Sequence, residues 1–251
     1  MTKLPPKEEL FQYIAETHQV EKLPCHYPEV TATFNGTANP PNAYADGHLK
    51  AISYIITQLI DKVHFPSRPP ETITNTFRSN DNLNWVKDLH SLMLKPLLSH
   101  PLVSQDPNCP KYEDIGKWRY KDSSNTFSMC PPPSLIPYIM HSWLIKVSTM
   151  HYQIKDKLSM TYGITEPQAK QMINIAYDTS LFFSTVQPMP HSNNRFGRLI
   201  ENALRLQWHF PWKHIKPESQ QYKKYTEDIT AYQEKLPEII SEAASLAKIM
   251  K

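Results

Sequence analysis

The chain has 251 residues, 40% hydrophobic and 20% charged, with 27 Lys and Arg against 24 Asp and Glu and a formal charge of +3. It is long enough for one large domain or two small ones with a sizeable core, too apolar for a disordered chain, and too mildly basic to mark a nucleic-acid binder by charge alone. Only 5 glycines stand against 23 prolines, which excludes the clustered glycines of a Rossmann or P-loop turn and points to helices punctuated by proline.

In chain order, a short helix is expected over Glu8 to Thr17, followed by a loop rich in Pro, Asn, Thr and Ala from Pro24 to Asp46. Gly47 to His64 carries Leu49, Ile52, Ile55, Ile56, Leu59, Ile60 and Val63 on one face and reads as a helix. Another runs from Asp81 to about Leu94 with Trp85, Val86, Leu89, Leu92 and Met93 inside, and Pro96 ends or kinks it. Two strand-like pieces follow, Gly116 to Tyr120 and Asn125 to Met129, linked by Lys121 to Ser124 as a β hairpin. Ser134 is expected to cap a helix carrying Leu135, Ile136, Ile139, Met140, Trp143, Leu144 and Val147. Thr165-Glu166-Pro167-Gln168 is a capping box that opens a helix running towards Pro188. A loop from Gln187 to Ser192 leads into a helix from Asn193 or Asn194 to about Trp208, and Pro217 to Lys251 reads as one or two helices.

Cys25, Cys109 and Cys130 are widely spaced with no CxxC, so they make neither a disulfide scaffold nor a zinc site, and a reducing compartment is expected. Met1 to Glu9 carries charges and two prolines where a signal peptide would be apolar, and no run is long enough to cross a membrane. A cytoplasmic location is the expectation.

The segment that carries chemistry is Gln187 to Asn202. A loop turns into a helix start holding Asn193, Asn194 and Arg195, with Arg198 one turn on. Free N–H groups and the positive end of a helix bind anions, and two guanidinium groups there suit a di- or triphosphate. The plainer alternative is a solvated basic turn paired with Glu201.

This stretch resembles the signature of the Fic/Doc (Fido) family, His-Pro-Phe-x-(Asp/Glu)-Gly-Asn-Gly-Arg-x-x-Arg. Two further segments resemble that family at matching order and spacing: Gly116-Lys117-Trp118-Arg119, and Phe127 to Met140 with Pro132, Pro133, Ile136 and Pro137. The resemblance covers roughly residues 81–216 as a Fic-like core, with helical extensions over 1–80 and 217–251. It implies a mainly α helical bundle with a small β-hairpin flap. It also implies transfer of AMP from ATP to a protein hydroxyl, with a His as base, a carboxylate holding Mg²⁺, an anion hole and phosphate-binding arginines. The flap would hold the target peptide by β augmentation through Trp118, Arg119, Tyr120, Thr126, Phe127 and Ser128.

The departures matter more. Gln187 stands at the base position and has no titratable group. Met189 replaces the Phe that anchors the loop. His191 replaces the metal carboxylate and is a poor ligand for Mg²⁺. Ser192 and Asn194 replace the two glycines, while Asn193, Arg195, Gly197 and Arg198 remain. Three readings follow. One is a degenerate Fic-like pseudoenzyme, impaired in AMP transfer but still binding ATP or another phosphate compound at Ser192, Asn193, Asn194, Arg195 and Arg198, with Mg²⁺ binding weakened or absent. A second is an active transferase using His191 as a displaced base, against the plainer role of a loop histidine bonded to a backbone carbonyl. The third is a protein-interaction module with a vestigial pocket.

Partners implied are a target or partner protein through the flap and a nucleotide, with no nucleic acid and no membrane span. Family members include effectors delivered into host cells, which makes secretion the alternative location. The family's inhibitory motif, (Ser/Thr)-x-x-x-Glu-(Gly/Asn), has its nearest match at Thr17 to Lys22; Lys22 breaks the pattern and the motif is read as absent. His209 and His214 are read as structural, and the lysine-rich run from Lys213 to Lys224 as a solvated face.

Overall fold

The computed structural model describes residues 4–59, 83–99, 110–122, 124–125, 128–159 and 164–249. Among them the architecture is mainly helical. Helix α1 (Lys7–Val20) opens with Glu8 and Glu9 in its first turn, where carboxylates favour the dipole. It ends in a Schellman turn. Leu23 N–H donates to the His18 carbonyl (3.0 Å), Lys22 N–H donates to the Gln19 carbonyl (2.9 Å), and Lys22 is left-handed at φ 57°.

The stretch from Pro24 to Asp46 is not all loop. It contains α2 (Tyr27–Phe34), started by Pro28 and by Glu29, whose carboxylate accepts the His26 N–H at 3.0 Å. At eight residues, α2 is too short for its apolar spacing to stand out. Helix α3 (Ala43–Tyr54) begins ahead of Gly47 because Asn42 Oδ1 accepts the N–H of Tyr44 and of Ala45, both at 3.1 Å. It continues as a π turn, Ile55–Leu59; the expected remainder to His64 lies outside the described residues from position 60 on. Helix α4 (Asn84–Ser99) carries Pro96 within its last turn and is not stopped by it. At Gly47, α3 and α4 meet backbone to backbone: a Cβ there would lie 2.0 Å from the Met93 carbonyl oxygen.

The expected hairpin of Gly116 to Tyr120 with Asn125 to Met129 does not form. Residues 116–120 take no strand conformation, because their backbone is spent on another loop: Arg119 N–H donates to the Pro188 carbonyl at 2.9 Å. The only ladder among the described residues pairs β1 (Ser124–Asn125) with β2 (Ser128–Met129), Ser124 opposite Met129 and Asn125 opposite Ser128. Thr126 and Phe127 lie outside the described residues.

Helix α5 (Ile136–Ser159) follows a 3-10 turn at Pro133–Leu135, so Ser134 lies inside that turn rather than capping the helix. Helix α6 (Glu166–Val186) starts at the expected capping box, with Thr165 N–H donating to Gln168 Oε1 at 3.0 Å. Helices α7 (Asn193–Gln207), α8 (Gln220–Tyr232) and α9 (Leu236–Ile249) complete the chain, so the tail is two helices. The core lies where α4, α5, α6 and α7 meet, and Leu89, Met140, Leu144, Phe183, Phe196 and Leu199 are fully buried there. Trp143 stacks on Phe182 and meets Phe183 edge-on, and Phe183 in turn meets Phe196. No helix among the described residues is long and apolar enough to cross a membrane.

Candidate functional site

The loop between α6 and α7 is built by two left-handed residues and one clamp. Gln187 (φ 49°) ends α6 and Ser192 (φ 62°) opens α7. This conformation costs non-glycine residues about 1–2 kcal/mol, so the surroundings must hold it. Asn193 does so: its Oδ1 accepts the Met189 N–H at 2.9 Å and its Nδ2 donates to the Met189 carbonyl at 2.8 Å. Met189 is buried, as expected of the residue replacing an anchoring Phe. Arg119 braces the loop from outside. Its Nε donates to the Gln187 carbonyl at 2.7 Å, and its other nitrogens donate to the carbonyls of Lys121 and Pro131. Arg119 is thus buried, while Tyr120 is half-exposed and Trp118 lies under Lys87 at 5.1 Å.

The arginine pair is not a solvated turn. Arg195 and Arg198 are each 6% exposed, and neither pairs with Glu201, which instead meets Lys213 at 3.0 Å and Arg205 at 3.9 Å. Their carboxylate is Glu21: Oε2 lies 2.6 Å from Arg195 Nε and Oε1 lies 3.7 Å from Arg198 Nη2. Arg195 also donates to Ser192 Oγ at 2.5 Å and lies over Tyr44, while Arg198 lies over Tyr225. Asn194 is exposed.

Thr17 to Lys22, read as lacking the inhibitory pattern because of Lys22, nonetheless carries Glu21 to the two arginines. The Schellman turn needs a left-handed residue at position 22. Glycine is the easiest choice, Lys22 accepts it at a cost, and the turn still points Glu21 at the arginines. Beneath it, two imidazoles meet edge to face in the seam between α1 and α3. His18 Nδ1 donates to the Ile14 carbonyl (2.8 Å), and His48 Nδ1 donates to His18 Nε2 (3.3 Å). Burial holds both well below the ordinary histidine range, with Arg195 and Arg198 adding to it, so both are neutral.

His191 is half-buried and has a partner that its sequence neighbourhood does not disclose. Its Nε2 lies 3.5 Å from Asp114 Oδ2, on the 3-10 turn Tyr112–Asp114. Burial would raise Asp114, but the Lys111 N–H (3.0 Å), the Tyr120 hydroxyl (3.1 Å) and His191 outweigh it and keep the carboxylate below its ordinary value. His90 fixes the relative position of the two segments. Gly116 N–H donates to His90 Nδ1 (3.2 Å) and His90 Nε2 donates to the His191 carbonyl (3.3 Å). Burial pushes His90 down to about 4, so it is the neutral Nε2–H tautomer that these bonds require.

Of the other expectations, His214 is structural, bonded to Glu16 at 2.7 Å. Lys213 is not on a solvated face but lies 3.8 Å from the ring centre of Tyr177. One imidazole and one carboxylate do not make the oxygen set that Mg²⁺ requires, and no group of three or more His, Cys, Asp or Glu among the described residues is placed to hold a metal.

The chain matches no sequence-family model and no curated protein sequence. Its fold is nonetheless that of Fic-domain proteins. It superposes on a Fic-1 fragment from C. elegans with a TM-score of 0.57 at 15% identity, covering 96% of this chain and 62% of that one. A Fic domain containing signaling protein from Bacteroides thetaiotaomicron VPI-5482 gives a TM-score of 0.52 at 13% identity, covering 93% of this chain and 75% of that one. The chain thus spans less than two thirds of the Fic-1 structure's length.

Proposed function

We propose that this is a nucleotide-binding Fic-fold protein that takes the polyphosphate of ATP or a related compound at Arg195, Arg198 and the N-terminus of α7. In the absence of nucleotide, Glu21 occupies that position. The observation that carries the reading is the buried guanidinium pair with a single carboxylate between them. A buried cation needs a counter-anion, and a phosphate, like the Glu21 carboxylate, offers negative charge on paired oxygens that suit guanidinium groups. α1 therefore belongs to the working site rather than to an accessory extension. AMP transfer through position 187 is impaired because Gln187 cannot accept a proton. Of the expected flap residues, Trp118 and Tyr120 are the described ones open to a target or partner protein, since Arg119 is buried in bracing the loop.

The test is calorimetry of ATP, with and without Mg²⁺, into wild type, Glu21→Ala and Glu21→Ala/Arg195→Ala. Weak or no binding to wild type, clear binding to the single variant and loss in the double variant support the reading. A folded Glu21→Ala protein that ignores ATP overturns it and moves the search to protein partners.

A further inference from the structure

Resting on the phosphate site just proposed, we infer that His191 and Asp114 form a base dyad that activates water against the bound polyphosphate, making the protein a nucleotide hydrolase through a base the loop has moved from position 187 to position 191. Four observations carry it. First, Asp114 is an acceptor at both oxygens: Oδ1 receives the Tyr120 hydroxyl, Oδ2 receives the Lys111 N–H, and His191 Nε2 stands 3.5 Å from Oδ2. A carboxylate in that position takes the Nε2–H and leaves the lone pair on Nδ1. Second, Nδ1 has no partner among the described residues, and the His191 side chain is 30% exposed, so water reaches it. Third, the ring is held on a fixed frame. His90 fastens the His191 carbonyl, and Arg119 fastens Gln187 and Pro188. Such bracing is what a base needs to meet a reacting atom in one geometry. Fourth, His191 precedes Ser192 in the chain, and the Ser192 hydroxyl touches Arg195, so the backbone that carries the imidazole leads directly into the arginine site.

The step balances without a redox partner. A water O–H passes its proton to His191 Nδ1 as the oxygen bonds to a phosphorus of the polyphosphate. The bond from that phosphorus to its bridging oxygen breaks, and the leaving phosphate carries away the electron pair. His191 then returns the proton to solvent or to the leaving group. Asp114 touches neither water nor phosphate; it is a positioning residue that fixes the tautomer and balances the transient imidazolium.

The experiment follows ATP breakdown by chromatography in the full chain carrying Glu21→Ala, so that the pocket is open. Turnover should fall about 10²–10⁴-fold in Glu21→Ala/His191→Ala, the usual loss for a missing base, and free imidazole should partly restore it. Asp114→Asn in the same background should lower kcat while leaving ATP affinity unchanged, with Asp114→Glu recovering part of the loss. An open variant that binds ATP by calorimetry but never cleaves it, or turnover that survives His191→Ala, overturns the inference. If the open variant fails to bind ATP, the phosphate-site reading fails. The dyad is then still judged by ¹⁵N NMR of His191 in the wild-type chain, where an Nε2–H tautomer lost in Asp114→Leu supports it and an Nδ1–H tautomer overturns it.

Discussion

Asn193 takes both backbone groups of Met189, accepting its N–H at 2.9 Å and donating to its carbonyl at 2.8 Å. The pair is buried, so neither group can turn to water. One side chain at the first position of α7 thereby sets where the loop after α6 runs, and with it the placement of His191, Ser192 and Arg195.

Asn193→Ala leaves that N–H and that carbonyl unpaired. At about 1–3 kcal/mol for each stranded buried group, a loss of several kcal/mol is expected in urea denaturation. Asn193→Asp keeps the acceptor and loses the donor, so it should fall between wild type and Ala. Equal stability of all three proteins would mean the clamp contributes nothing.

Two glycines should lose stability to very different degrees on the same change. Gly47 sits inside α3 against the Met93 carbonyl, and an added Cβ would lie 2.0 Å from that oxygen. Alanine gains about 1 kcal/mol of helix propensity there, but the helices must separate. Gly47→Ala should therefore lower the melting temperature sharply, beyond the usual ~1–3 kcal/mol of overpacking. Gly36 is left-handed at φ 69°, and a Cβ added there would meet nothing within 4 Å, so Gly36→Ala should cost only the backbone strain, about 1–2 kcal/mol. Paired calorimetric scans decide the order.

The helices that frame the site are legible in the sequence because their signals are local. The capping box at Thr165 and Gln168 and the apolar spacing of α6 both appear within one turn or two of sequence. The arginines are legible through their position at a helix start. Glu21 is hidden when position 22 is read by residue type, because the requirement there is a left-handed backbone that Lys22 also meets. Asp114 is invisible for a different reason. No spacing rule links it to His191; only the docking of residues 114–119 on the loop brings the two together, through His90 and Arg119. The same docking cancels the strand expected over 116–120, since a backbone given to Pro188 cannot also pair in a ladder.

Acid should weaken the fold before carboxylates are involved. His90 and His141 are both lowered to about 4, chiefly by burial, and His18 and His48 lie well below the ordinary value of 6.5. Between those values the unfolded chain binds protons that the folded chain refuses, so stability falls as pH drops from 6.5 towards 4. The effect is on the order of 3 kcal/mol for His90 alone. Melting temperatures across that window should decline with a slope of more than one proton. A flat profile over the same range would contradict the neutral buried imidazoles.

His191→Asp tests the electrostatics of the pair most directly. The substitution sets a second carboxylate beside Asp114, where the present partner is an imidazole 3.5 Å away. Two like charges at such a distance repel by between ~1 and ~4 kcal/mol, depending on how much water lies between them. Above about pH 5, where carboxylates are ionised, the variant should melt below wild type, and Asp114→Asn added to it should recover most of the loss. The new pair of carboxylates also supplies twice the hard oxygen donors of the wild-type site, where an imidazole stands beside Asp114. Mg²⁺ should therefore raise the melting temperature of His191→Asp and leave wild type and the His191→Asp/Asp114→Asn double variant unmoved. Equal Mg²⁺ effects on all three proteins would place the cation elsewhere on the chain.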